Sequence, residues 1–433
     1  MKNRLKTFDF TLVFTPLILT IFGIVMIYSS SMVIAVMDDK PPNYYMIKQI
    51  QWFIIGLVLF VFCCFFNYRH YQKLMKFIIF GLIIMLVMVL FEDPIKGARS
   101  WLSIGSYSIQ PSEFVKLGLI MYLASVYSKK QSYLNHFGSG VLPPLVMTGI
   151  LLGLIVLQPD IGTATIIFLI ACSVIFSAGI RLRHLSLLMI MGASVLVLAG
   201  VKMLTDHRLS RFTGAYQPFS DPEDAGYQLI QSYIAIGTGG LDGLGLGQSV
   251  QKLGYLTEGY NDFIMAVIAE ELGFIGVVIV IGLLSLIVLR GLYISKDCQD
   301  SFGSLLAIGI SSMVGVQAFI NLGAISGLLP ITGVTLPFVS YGGSSLLVLM
   351  ISMGILNNIA RHAKRATIDH ASEKNYQPNK INKLPRNYSR PQQREPISIV
   401  ERVRNRPSIH AGFFIKSVET QKMFAKNGLF NNF

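Results

Sequence analysis

Residues 274–289 read FIGVVIVIGLLSLIVL, an apolar run followed directly by Arg290. Two further runs resemble it, Leu12 to Tyr28 and Phe77 to Phe91. Each approaches or reaches the length that crosses a bilayer as a helix, about 17–25 residues. The alternation of apolar and polar residues that marks a membrane barrel strand is missing from them. The composition agrees: of 433 residues, 52% are hydrophobic and 14% are charged, against about 25% charged in a soluble domain. Mean hydropathy is +0.57. Most of this chain has lipid as its solvent.

Working outward from these runs, the sequence predicts an all-α integral membrane protein of about ten helices, at 9–31, 47–66, 77–91, 112–128, 142–158, 161–179, 185–205, 261–290, 302–325 and 342–360. Lys2, Arg4 and Lys6 precede the first run as in a signal peptide, but no small-residue cleavage site follows, so the first helix reads as uncleaved. The connecting segments alternate in charge. Lys2/Arg4/Lys6, Arg69/Lys73/Lys76, Lys129/Lys130, Arg181/Arg183, Arg290/Lys296 and Arg361/Lys364/Arg365 fall on one side. Lys40, Lys96, Arg99, Arg208, Arg211 and Lys252 are spread thinly over the other. By the positive-inside rule both termini are cytoplasmic, which requires an even number of spans.

Three domains follow: a cytoplasmic N-terminus at 1–8, the membrane domain at 9–360 with a large outer loop at about 205–260, and a tail at 361–433. Net charge is +13, and from Arg361 onward there are 15 Lys+Arg against 5 Asp+Glu. The tail reads as disordered. Beside a membrane helix such a basic tail fits anionic lipid or a cytoplasmic protein partner rather than nucleic acid. Cys63, Cys64, Cys172 and Cys298 read as packing residues, neither a disulfide framework nor a metal cluster.

Charges inside a bilayer mark function or paired structure. Glu113 and Lys116 lie three apart on one helix face and can pair. They either hold the bundle or present Lys116 to an anion. Asp160 sits at a tight outer turn, where capping the next helix is the plainer role. Arg99, with Trp101, anchors at the lipid interface or clamps a phosphate. Asp262 lies where the long outer loop enters the eighth helix. It either caps that helix or serves as a general base at the rim of an outward cavity. Glu270 and Glu271 follow, with Gln317 or Asn321 as expected polar partners. The glycine-rich run 237–247 lacks a Walker lysine and a flanking strand, so it reads as close backbone packing or mobility rather than a nucleotide site.

Ordered motifs run from residue 9 to 360: Tyr28-Ser29-Ser30-Ser31, Gly97 to Trp101, Gln110 to Lys116, Gln158 to Thr163, Gly226-Tyr227-Gln228, Asn261-Asp262-Phe263, Glu270 to Gly273, and Leu336 to Ser345. Together they resemble the SEDS family of peptidoglycan polymerases. Gly245 to Lys252 followed by Tyr255-Leu256 is closer to the division branch (FtsW, Gram-positive type) than to the elongation branch (RodA). One departure stands out. The family usually carries a His-Thr pair before the aspartate, and here the residues are Tyr260 and Asn261.

The resemblance implies that lipid II is polymerised at the outer membrane face during division, at the septum. Asp262 matches the family's catalytic aspartate, and Glu113 and Lys116 match residues tied to activity. Glu258, Asp160, Ser340 and Ser345 fall in the supporting motifs. A sugar hydroxyl is a weak nucleophile and needs a base. The departing undecaprenyl diphosphate needs cationic stabilisation, from Lys116, Arg99 or a divalent cation such as Mg or Mn. No covalent cofactor is implied. The implied partners are a class B penicillin-binding protein and other division-complex membrane proteins. RodA-type elongation, a lipid II flippase and a non-catalytic scaffold are the competing readings. A flippase is expected to show inverted repeats, and none is visible in the sequence.

Overall fold

The computed structural model describes residues 8–94, 98–105, 107–129, 137–180, 214–223 and 226–375, with a few single positions between 183 and 194. The helices are α1 Phe10–Met37, α2 Tyr44–Phe65, α3 Arg69–Val89, α4 Pro111–Lys129, α5 Leu142–Leu157, α6 Ile161–Ser177, α7 Tyr227–Gly239, α8 Ile264–Asp297, α9 Ser301–Ile325 and α10 Gly343–Asn375. Six of them (α1, α2, α3, α8, α9, α10) are long and apolar enough to cross a membrane among the described residues. The predicted seventh span, 185–205, lies almost wholly outside the described residues, as does the tail from Tyr376.

Burial separates the centre of the bundle from its lipid-facing rim. The most apolar window of α10 is 94% buried and that of α9 67%, whereas α2, α3 and α8 each bury 28%. In lipid an exposed apolar face needs no cover, so outer helices stay apolar all round. The centre is instead where polar groups appear. Gln317 and Asn321 on α9 and Ser344, Ser345, Ser352, Asn357 and Asn358 on α10 are all buried. Asn357 and Asn358 hold backbone groups of Asp9 and Cys64, at 3.1 and 2.8 Å.

Three features depart from the expected layout. The loop before α4 carries a two-stranded hairpin, β1 Leu102–Ile104 and β2 Tyr107–Ile109, antiparallel with Leu102 opposite Ile109. Strands this short leave no alternation to read in a sequence. At the other end, α10 runs past 360 to Asn375. The segment after Arg361 holds Ala, Lys, Arg and Glu among its residues and no proline before Pro378, so no local breaker stops the helix at 360.

The third departure is at Gly273, which interrupts α8 with φ 64° and ψ −164°. A residue with a Cβ is strained there, and the break frees backbone groups that must find partners. The glycine-rich run supplies them. The carbonyls of Glu270 and Glu271 accept from the amides of Leu244 and Gly245 at 2.9 Å, and the amide of Phe274 donates to the Gly240 carbonyl at 3.0 Å. At two positions of the run a side chain would collide with α8: a Cβ on Gly239 would meet the Ala269 carbonyl, and one on Gly243 the Glu271 backbone.

Candidate functional site

At one end of the bundle a cavity of about 540 Å³ opens between the first turns of α2, α4, α6 and α10, the hairpin, and the turn before α8. On α2, Tyr44, Tyr45, Lys48 and Trp52 recur on one face and line it. From α4 come Glu113 and Lys116, and from the turn before α8 come Glu258, Tyr260 and Asn261. Gly333 to Thr335 and Tyr341 to Ser345 complete the wall.

The i,i+3 spacing on α4 produces the predicted ion pair. Lys116 Nζ stands 2.7 Å from Glu113 Oε2 and donates to Gln317 Oε1 at 2.7 Å. Lys116 is 2% exposed and Glu113 7%, so the charges compensate one another where water is scarce. Gln317 passes the network on. Its amide donates to the Thr335 carbonyl at 3.0 Å and to Ser345 Oγ at 3.2 Å. A buried lysine that keeps an open edge on a cavity is suited to meet an anionic group arriving there.

Asp262 stands just behind this wall and is 8% exposed. Asn321 anchors it from α9, donating to the carbonyls of Asp262 and Val334 at 2.7 Å each. A Cβ built on the cavity-lining Gly333 would lie 4.0 Å from Asp262 Oδ2, so the absence of a side chain at 333 leaves the carboxylate close to the cavity. The N-cap position of α8 is Phe263, one residue after Asp262. Tyr260, where the family pattern differs, packs its ring at a tilt against Tyr45 and Tyr341, with ring centroids at 4.6 and 5.8 Å. Asn261 donates to Glu258 Oε2 at 3.2 Å.

Other expected site residues are held differently. Arg99 is exposed, donates to the Leu90 carbonyl at 3.0 Å and does not line the cavity. Asp160 caps α6, accepting from Thr163 N at 3.1 Å, and takes a second bond from Gln110 at 3.2 Å. Burial pushes its carboxyl above the ordinary range, against the opposing cap bond from Thr163. Ser340 Oγ accepts from the Leu336 amide at 2.8 Å and so shapes the 336–340 turn, whereas Ser345 lines the cavity.

The expected partners of Glu270 and Glu271 are corrected: Gln317 and Asn321 are engaged elsewhere. Glu271 binds Lys252 Nζ at 2.9 Å and Ser29 Oγ at 2.7 Å. Glu270 accepts from Ser249 Oγ and, at 2.9 Å, from Val250 N. Lys252, read from the sequence as a sparse outer charge, is therefore buried. Tyr45, Trp52, Lys48 and Thr335 went unnoticed in the sequence. The legible signal was for Lys48 alone, a charge close to the start of an apolar span. Among the described residues no group of three or more His, Cys, Asp or Glu converges to hold a metal ion; a Mg or Mn ion held by one or two carboxylates together with a diphosphate needs no such group.

Fold and site together define a helical multi-pass membrane protein with a charged, aromatic-walled cavity at one end of its bundle. Residues 10–365 match the model of the cell cycle protein family that spans FtsW, RodA and SpoVE, and the chain belongs to that family. It is 50% identical over 375 residues to the probable peptidoglycan glycosyltransferase FtsW of Bacillus subtilis, covering 84% of this chain and 93% of that one. It is 39% identical over 367 residues to stage V sporulation protein E of the same organism, covering 84% and 100%. Among solved structures, it superposes on a chain of a peptidoglycan synthase complex that coordinates polymerization and crosslinking, with a TM-score of 0.67, 28% identity and coverage of 82% and 98%. The rod shape determining protein RodA of Thermus thermophilus gives a TM-score of 0.61 at 27% identity, covering 82% and 97%.

Proposed function

We propose that this chain is a peptidoglycan glycosyltransferase of cell division that polymerises lipid II at the outer membrane face, with both termini in the cytoplasm and the septum as its place of action. The observation that carries the reading is the cavity itself, which gathers a buried, paired lysine, an aromatic wall and the turn bearing Asp262 at one end of the bundle. Asp262 takes the proton from the 4-hydroxyl of an N-acetylglucosamine. That oxygen attacks the anomeric carbon of an N-acetylmuramic acid on the opposite face from its leaving group, with inversion. Undecaprenyl diphosphate departs with the bonding electrons as a stable anion and needs no proton, so one carboxylate suffices where a glycosidase uses two. Lys116 compensates the charge that develops on the diphosphate. Glu113 and Gln317 hold its ammonium in place, and Ser345 extends the same network. The rings of Tyr45, Tyr260 and Tyr341 offer apolar faces to the sugars, and Glu258 with Asn261 stiffens the turn beside them. A class B penicillin-binding protein is the partner that cross-links the product, with other division-complex membrane proteins around it.

The test is polymerisation of lipid II by purified protein in detergent, with and without the cognate transpeptidase. Wild type makes glycan polymer, and Asp262→Ala, shown to be folded by its elution profile, falls by about 10²–10⁴-fold, the usual contribution of a general base. Undiminished polymer from Asp262→Ala removes the proposed base. Polymer made without a membrane to cross separates the enzyme from a flippase.

A further inference from the structure

Helix α7 and the glycine-rich run form a hairpin that dips along the upper half of α8. At the top of α7, Gln228 donates to Thr257 at 3.0 Å. At its foot, Gly239 packs directly on the Ala269 carbonyl. The chain then turns, bonds across the Gly273 break, and climbs back to Ser249 and Lys252, which bind Glu270 and Glu271.

The depth of the turn follows from α8. From Gly273 to Arg290 is 17 steps of helix, roughly 26 Å at 1.5 Å per residue, close to the ~30 Å of a hydrocarbon core. Arg290 pairs with Asp9 at the start of α1, at 2.7 Å, which marks the far boundary. The break at Gly273 therefore lies at the near boundary, on the cavity's side of the membrane.

At that level the hairpin presents apolar side chains outward. Leu241, Leu244 and Leu246 are 70%, 46% and 57% exposed. They continue the lipid-facing surface of α8, where Phe274 and Ile275 are 59% and 54% exposed. The join is direct, because Ile275 N donates to the Leu241 carbonyl at 3.3 Å. Irregular backbone is tolerated beside lipid only when its polar groups are satisfied, and this turn pairs several of its amides and carbonyls with the broken helix. Asp242, exposed between two of the leucines, fits the headgroup layer and argues against deeper burial.

We propose that the hairpin tip, Leu241 to Leu246, is seated in the membrane interface with its leucines among acyl chains. The lipid bilayer is then the partner of the outer loop, and it sets the height of the segment that carries Asp262. The inference holds whatever reaction the cavity performs.

The experiment uses the full chain with Cys63, Cys64, Cys172 and Cys298 replaced by serine or alanine. Leu241→Cys, Leu244→Cys and Leu246→Cys are labelled singly with a polarity-sensitive fluorophore. Ser220→Cys, an exposed position of the same loop, is the reference. In phosphatidylglycerol vesicles with brominated acyl chains, the three leucine positions are quenched several-fold more than position 220, and their emission is blue-shifted. Quenching at all three no greater than at position 220, together with equal reaction toward a membrane-impermeant maleimide, leaves the tip in water or against a protein and overturns the proposal.

Discussion

Two buried lysine–glutamate pairs lie near the same end of this bundle, and their chemistry is almost the same. Lys116 meets Glu113 at 2.7 Å, and Lys252 meets Glu271 at 2.9 Å, with both lysines 2% exposed. Their surroundings differ. The first pair lines a cavity of about 540 Å³ and hands its network to Gln317 and Ser345. The second is closed between α1, α8 and the returning hairpin, with Ser29 as a further partner. A buried ion pair is therefore no mark of a reaction centre by itself. What separates a site from a rivet is an open face where a ligand can displace water.

The largest effect is expected at the closed pair. Lys252→Met strands a carboxylate in the interior and lowers stability by about 3–5 kcal/mol, read as thermal aggregation of the purified protein. The apolar double variant Lys252→Met/Glu271→Leu recovers most of it. At the cavity the same exercise separates folding from turnover. Lys116→Met/Glu113→Leu keeps its thermal stability but polymerises lipid II about 10²–10³-fold more slowly, as for a lost electrostatic stabiliser. Full activity in that variant would erase the distinction between the pairs. Gln317→Leu removes one partner of Lys116 and costs about tenfold in turnover, in line with a single charge-assisted hydrogen bond.

The smallest effect concerns Asp160. Its folded carboxyl is raised above the unfolded value of 3.8 because burial outweighs the cap bond. The folded state then holds the proton more tightly than the unfolded chain, and stability falls as pH rises through the window above 3.8. Asp160→Asn caps equally well and stays neutral. Its melting temperature relative to wild type should climb from about pH 4 toward neutrality, and a constant difference would show the carboxyl to be unperturbed.

How much of this was legible in the chain can be judged from particular residues. The i,i+3 pair at 113 and 116 was, because helix geometry dictates it. The aspartate cap at 160 was, because a carboxylate before a helix has a local partner. The partners of Glu270, Glu271 and Gln317 were not. Each lies on another element, and a buried polar group accepts whichever complementary group the packing brings. Arg99, which the sequence left as an interface anchor or a phosphate clamp, turns its side chain to the Leu90 carbonyl and does not line the cavity.

Hydropathy alone determined that this is a helical membrane protein, since lipid forbids unpaired backbone and a long apolar run has few other ways to satisfy it. It also located most of the described helices, because their periodicity and length are local properties. Only the tertiary structure decided that α8 breaks at Gly273 and is mended by a segment some thirty residues earlier. It alone decided which of two like-charged lysines faces a cavity. Both outcomes depend on which surfaces meet, and contact between distant segments leaves no period in a sequence.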